Sequence, residues 1–220
     1  MPFTVKPEVM ANIRPIRNED IPRIAQLHAL AMGKSLWAQL GERFLREIYR
    51  ALLKSEHFLG FVYQEAGEIE GFIAGSRNSK IMMQNAFFRR GYRLGLAALL
   101  GLRNPGVLKQ LLETAKYFRR SQANISEEIL AESLFCSFTP KLRGKRVAGH
   151  INKVLFDQLH IEGHQKIKIT TETDNLGANR QLQSWGFEAK GNFQFYGKEM
   201  VTYVLDFGTS DRVEPKNWCP

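Results

Sequence analysis

Between residues 129 and 173 the chain runs from a dense apolar stretch, ILAESLFCSFTP, through the basic loop KLRGKR into VAGHINKVLFDQLHIEG and then KIKITTET. Pro140 ends the first run, because its ring fixes φ and removes a backbone donor. Val147, Ile151, Val154/Leu155 and Gln158/Leu159 then recur at helical spacing, and KIKITTET reads as a strand. A short helix, NLGANRQLQSWGF, closes on Gly186, and FQFYGKEMVTYVLDF reads as two strands around Gly197-Lys198. In this half, strands and helices alternate.

The first half supplies a hairpin instead. NIRPIR at 12–17 reads as a short edge strand, since Pro15 cannot donate to a ladder. NEDIPRIAQLHALAM follows as a helix, with capping residue types at Asn18 and Asp20 and Pro22 in the first turn. GERFLREIYRALL is a second helix with Phe44, Leu45, Ile48, Leu52 and Leu53 on its apolar face. HFLGFVYQEA and EIEGFIAGSR form an antiparallel hairpin across Ala66-Gly67-Glu68. From about 78 to 126 the pattern changes to a pair of helices broken at Arg103-Asn104-Pro105-Gly106, which reads as an insertion. The fold class expected is α/β, a mixed sheet with helices on both faces. One domain spans 1–208 and residues 209–220 form a tail.

Composition bounds the partners. Of 220 residues, 31 are Lys or Arg and 22 Asp or Glu, a net charge of +9 that favours a phosphate-rich partner, an anionic membrane face or an acidic substrate. Cys136 and Cys219 stand far apart with no CxxC, and His57, His150, His160 and His164 have no metal-ligand spacing, so neither a zinc site nor a disulfide framework is expected. The longest apolar stretch, LGLAALLGL, is too short to span a bilayer, and the N-terminus has no apolar signal core. A cytoplasmic protein is expected.

KLRGKRVAGH at 141–150 joins a strand to a helix. A helix N-terminus leaves N–H groups unpaired and carries partial positive charge, glycine allows close backbone approach, and Lys and Arg add charge-assisted hydrogen bonds. The stretch is thus a candidate phosphate cradle; a solvated basic turn and a nucleic-acid patch are its alternatives. Neither GxxxxGK[ST] nor GxGxxG occurs there.

Arg143-Gly144-Lys145-Arg146-Val147-Ala148-Gly149 resembles the acetyl-CoA loop of the GNAT superfamily of N-acetyltransferases, written roughly P-x-x-R-G-x-G-I-G. IRPIRNEDIPRIAQLH resembles that superfamily's opening strand and helix, VYQEAGEIEGFIAG its central hairpin, and DNLGANRQLQSWGF its late NxxA…GF element. The likeness covers about 12–77 and 128–207 and leaves the insertion unmatched. Lys141, Arg146 and Ala148 depart from it: Arg146 replaces the second loop glycine, and Ala148 stands where another glycine is common.

The resemblance implies a mostly antiparallel GNAT-like sheet with the helical insertion between its third and fourth strands. It also implies acetyl-CoA as co-substrate, with no metal. The amides of Arg143, Gly144, Lys145, Arg146, Val147, Ala148 and Gly149 would hold the pyrophosphate. Backbone groups of Phe135, Cys136, Ser137 and Phe138, on a strand splayed from its parallel neighbour, would pair with the pantetheine arm and acetyl carbonyl, and Asn175 would bond the pantetheine chain. Glu132 falls in a Glu-x-x-Phe-Cys pattern similar to that of histone-acetylating members, where the glutamate is the general base; its other reading is a strand-end surface carboxylate. The tyrosine that commonly protonates the leaving sulfur is replaced by Leu182, which implies another group, water in its place, or an impaired enzyme; Tyr196 and Tyr203 are the substitute candidates, and packing residues are their other reading.

His28, on the helix before the loop that commonly borders the acceptor site, is a further catalytic candidate, and its alternative is a packing residue. Ser35 and Trp37 lie in that loop. The implied acceptor is a small-molecule amine, and the implied protein a monomer or homodimer. Arg89, Arg90, Arg93 and Arg103 of the insertion, interleaved with apolar residues, read as a lid, a weak membrane-surface contact or a solvated basic face.

Overall fold

The computed structural model describes residues 4–33, 35–101, 129–195 and 197–219. Its seven strands are β1 (Ile13–Pro15), β2 (Phe58–Glu65), β3 (Glu68–Ser76), β4 (Ala131–Phe138), β5 (Lys166–Glu172), β6 (Glu188–Phe195) and β7 (Lys198–Asp206), in the order β1-β2-β3-β4-β5-β7-β6. Every neighbouring pair is antiparallel except β4 and β5. The single parallel step follows from the chain order: β4 reaches β5 through a helix that crosses back over the sheet.

That helix, α6 (Val147–Ile161), buries Ile151, Val154, Leu155, Phe156 and Leu159 against Leu59, Phe61, Ile73 and Ile167 on one face of the sheet. The short helices α1 (Pro7–Met10) and α7 (Leu176–Ser184) lie earlier and later in the chain. On the opposite face α2 (Ile21–Ala31) and α4 (Glu42–Leu52) bury Ile24, Leu27, Leu45, Ile48 and Leu52, with the one-turn α3 (Leu36–Gln39) between them. The start of α2 is fixed by Asp20, whose buried carboxylate accepts from the Arg14 guanidinium at 2.7 and 2.9 Å and from the Arg17 N–H at 2.8 Å. Charge-assisted, bidentate pairing of this kind compensates the desolvation of a buried carboxylate.

The insertion between β3 and β4 opens as the long helix α5 (Ser79–Gly101), capped by the Asn78 carboxamide oxygen accepting from the Ile81 N–H, with Met82, Ala86, Leu94 and Ala97 buried in the α2/α4 core. Its second expected helix and the Arg103–Gly106 break lie outside the described residues. Residues 209–219, read in the sequence as a tail, lie along α6, with Val213 buried and Trp218 packed on the core. None of the described helices is long and apolar enough to cross a membrane.

Candidate active site

The parallel pairing of β4 and β5 covers only Ala131 with Ile167, Glu132 with Lys168 and Ser133 with Ile169. Beyond that point β5 remains paired to β7, while β4 remains paired to β3. The two strands therefore part, and the cause lies in β4. Ala74 faces Phe135 but the adjacent Gly75 faces Ser133, so Leu134 is an extra residue, a bulge that bends the strand. Past the bulge, Ser137 Oγ donates to the Leu27 carbonyl at 2.9 Å and ties β4 to α2. The Thr139 N–H donates to the Glu70 carbonyl, which fixes the alternation of the β3–β4 ladder. By that alternation Cys136 and Phe138 turn their N–H and C=O groups toward the gap. The Cys136 side chain itself is exposed.

The loop after β4 ends in an open cleft of about 940 Å³ lined by Phe138, Arg143, Gly144, Arg146 and the first turn of α6. Phe138 settles over Gly71, where a Cβ would meet its ring at 2.3 Å. Gly144 holds φ 78°, and Arg146, the residue before α6, holds φ 59° and ψ 13°. This is left-handed backbone, which glycine adopts freely and arginine does not. It explains why glycine is the residue expected at position 146. The first backbone bonds of α6 run from the Gly149 and His150 N–H groups to the Arg146 carbonyl, so the N–H groups of Val147 and Ala148 face the cleft end without a helical acceptor.

The four basic residues of this stretch divide into two pairs. Lys141 Nζ donates to Glu70 Oε1 at 2.7 Å, and the Thr139 hydroxyl donates to Glu70 Oε2 at 2.7 Å; the ammonium holds that buried carboxyl below the usual carboxylate range. Lys145 Nζ lies 3.5 Å from Glu65 Oε2. Both lysines thus tether the loop to the β2–β3 hairpin. Arg143 and Arg146 line the cleft and form no salt bridge among the described residues. Helix N-terminal amides, left-handed turns and two unneutralised guanidinia together suit a phosphate-bearing ligand.

No family model matches the chain. Ard1 from Thermoplasma volcanium superposes with a TM-score of 0.55 at 15% identity, over 88% of this chain and 95% of that one. A spermidine N-acetyltransferase mutant from Vibrio cholerae superposes with a TM-score of 0.56 at 14% identity, over 88% of this chain and 92% of that one. The fold is the GNAT fold. In sequence, mycothiol acetyltransferase of Brachybacterium faecium is 34% identical over 61 residues, which are 28% of this chain and only 18% of that protein.

Within this GNAT fold the remaining candidates occupy distinct places. Asn175 caps α7, its Oδ1 accepting from the Ala178 N–H at 3.3 Å. Asn179, not singled out from the sequence, donates from Nδ2 to the Glu172 and Thr173 carbonyls at the open end of β5, and its Oδ1 is buried without a partner. Leu182 packs into the α6-side core. Tyr203 is buried there too, its hydroxyl 3.5 Å from Gln183 Nε2. Tyr196 lies outside the described residues.

On the α2 side, strand alternation sets Glu132 on the face opposite Ala131, the face of Leu134 and Phe135. It is half-buried, with Lys168 Nζ 3.9 Å away. His28 is fully buried: Nδ1 is 2.8 Å from the Tyr49 hydroxyl and Nε2 3.4 Å from Ser35 Oγ. Burial lowers it to about 4, so the ring is neutral at pH 7. Its ring centroid lies 4.9 Å from Phe135 and 6.3 Å from Trp37, which makes it part of an aromatic wall behind the gap.

The cleft lining also includes Gln181, Ser184, Trp185, Thr4 and Arg212, which sequence reasoning passed over. Trp185 had one signal, its place just before Gly186-Phe187. Arg212 had none, since it falls in the stretch read as a tail.

Proposed function

We propose that the chain is an N-acetyltransferase of the GNAT type, transferring an acetyl group from acetyl-CoA to the primary amine of a small molecule by direct attack. The observation that carries this reading is the junction of the splayed β4–β5 gap with the arginine-lined cleft. One site offers phosphate donors at one end and unpaired strand amides at the other. Bound there, acetyl-CoA supplies the thioester whose acyl group is transferred.

The chain's own residues then have separable tasks. The amides of Val147 and Ala148, with Arg143 and Arg146, hold the pyrophosphate. The gap-facing backbone of Cys136 and Phe138 pairs with the pantetheine arm, and an N–H there polarises the acyl oxygen as negative charge develops. Glu132 takes the proton from the incoming amine. With Leu182 in the core, proton return to the departing sulfur falls to Tyr196 or to water.

Calorimetric titration with acetyl-CoA, followed by thiol release over a panel of amines, tests the proposal. Binding with amine-dependent thiol release is expected. Binding without release for any amine would leave a coenzyme A-binding module, the reading that Leu182 favours. Absence of binding would refute the site assignment altogether. A nucleic-acid role has less support: two of the four basic side chains of the loop are neutralised by Glu65 and Glu70.

A further inference from the structure

Two of the cleft's three arginines belong to the loop; the third comes from the C-terminal segment. We propose that Arg212 recognises the 3′-phosphate on the ribose of coenzyme A, and so makes the protein distinguish the coenzyme from its 3′-dephospho form. This rests on the coenzyme A reading above.

The cationic groups of the cleft match the anionic groups of the coenzyme. The loop amides with Arg143 and Arg146 account for a pyrophosphate, while Arg212 lines the same cleft beside Trp185. Its guanidinium carbon lies 5.6 Å from the centre of the Trp185 ring, and it forms no salt bridge among the described residues. Stacking on an indole orients a guanidinium while leaving its edge donors free. A further guanidinium in the cleft, supplied from outside the loop that forms the pyrophosphate cradle, suits a ligand with a second, separate phosphate.

A buried clasp places Arg212. Lys153 is 2% exposed and Asp157 fully buried, and Lys153 Nζ donates to Asp157 Oδ1 at 3.0 Å and to the Arg212 carbonyl at 2.8 Å. Asp157 also accepts from the Glu214 N–H at 2.9 Å and from the Trp218 indole N–H at 3.2 Å. Gln158 Oε1 accepts from the Trp218 and Cys219 N–H groups. Burying an ion pair is expensive, and an apolar pair of similar volume commonly serves stability as well. Here the pair's remaining hydrogen bonds all go to the segment that carries Arg212. The clasp presents that side chain already placed, which lowers the ordering cost of binding.

The test is calorimetric titration of the full chain with coenzyme A and with 3′-dephospho-coenzyme A. Wild type is expected to bind coenzyme A about tenfold more tightly, the scale of one partly solvated charge-assisted contact. Arg212→Gln should bring coenzyme A down to the dephospho level and leave dephospho-coenzyme A unchanged, whereas Arg143→Gln should weaken both ligands alike. Equal wild-type affinities, or a preference that survives Arg212→Gln, would overturn the inference and leave the coenzyme A reading standing. Binding of neither ligand by wild type would overturn both.

Discussion

Arg146 allows strain and affinity to be measured separately at one position. Its backbone sits at φ 59°, ψ 13°, where a residue with a Cβ is disfavoured by roughly 1 kcal/mol. Its side chain lines the cleft without a carboxylate partner. Arg146→Ala and Arg146→Gly both remove the guanidinium, but only glycine relieves the backbone. Glycine also frees the unfolded chain, which offsets part of the gain. The glycine variant should therefore be more stable than the alanine variant by about 1 kcal/mol or slightly less, about 2–4 °C in melting temperature for a chain of this size. Both should bind coenzyme A about tenfold more weakly than wild type, the low end for a lost charged hydrogen bond at an open rim. Thermal denaturation and calorimetric titration of the three proteins supply the readouts. If the glycine variant melted no higher than the alanine variant, the strain argument would fail. If either variant bound as tightly as wild type, Arg146 would have no place on the phosphates.

Other perturbations address the neighbouring residues. His28, lowered to about 4 against an ordinary 6.5, binds a proton less readily folded than unfolded. Its stabilising contribution is complete above about pH 6.5 and is lost as pH falls toward 4, about 2 kcal/mol by pH 5. Urea unfolding at several pH values should show His28→Gln with a shallower fall over that window; parallel profiles would remove His28 as the cause. Gly144→Glu, which sets a carboxylate at a φ of 78°, should lose more than tenfold in coenzyme A affinity where Gly144→Ala loses only a few-fold. Equal losses would trace the effect to strain alone. Glu132→Gln should lower turnover about a hundredfold at neutral pH, with less effect above the amine pKa and with coenzyme A affinity intact. Wild-type turnover at neutral pH would end its role as base.

Element types were legible in the sequence wherever periodicity was strong. The β2–β3 hairpin turns at Ala66-Gly67 as its residues require, and α6 buries the face that Val147, Ile151, Val154 and Leu159 describe. The start of β6 at Glu188 was missed, because EAKGNFQF is exposed along most of its length and shows no buried alternation. The one-turn helices α1 and α3 are too short to carry a period. The loop could be read as a phosphate cradle from residue types alone, but the sequence could not show which basic side chains were available to a ligand. That depends on Glu65 and Glu70, 80 and 71 residues from their lysines in the chain and adjacent only through the β2–β3 hairpin. The bulge at Leu134 was invisible for a similar reason: it is a mismatch of register between two strands, and neither strand records it alone.

These two hidden features act on the same strand and explain why the site lies where it does. A bulge by itself would only kink β4 within the sheet. Here β4 is held at both ends of its free stretch: Ser133 still pairs with Ile169, and Glu70 on β3 takes the Thr139 amide and hydroxyl and the Lys141 ammonium. Between those anchors the Ser137 hydroxyl draws β4 onto α2, so the departure from β5 is a fixed opening in the sheet. Because Glu70 anchors both the end of β4 and the start of the basic loop, the strand amides and the arginines are set relative to each other by one carboxylate. Lysine suffices for that tether, where a single charge must meet a single acceptor. Arginine stands where a planar fork must meet phosphate oxygens.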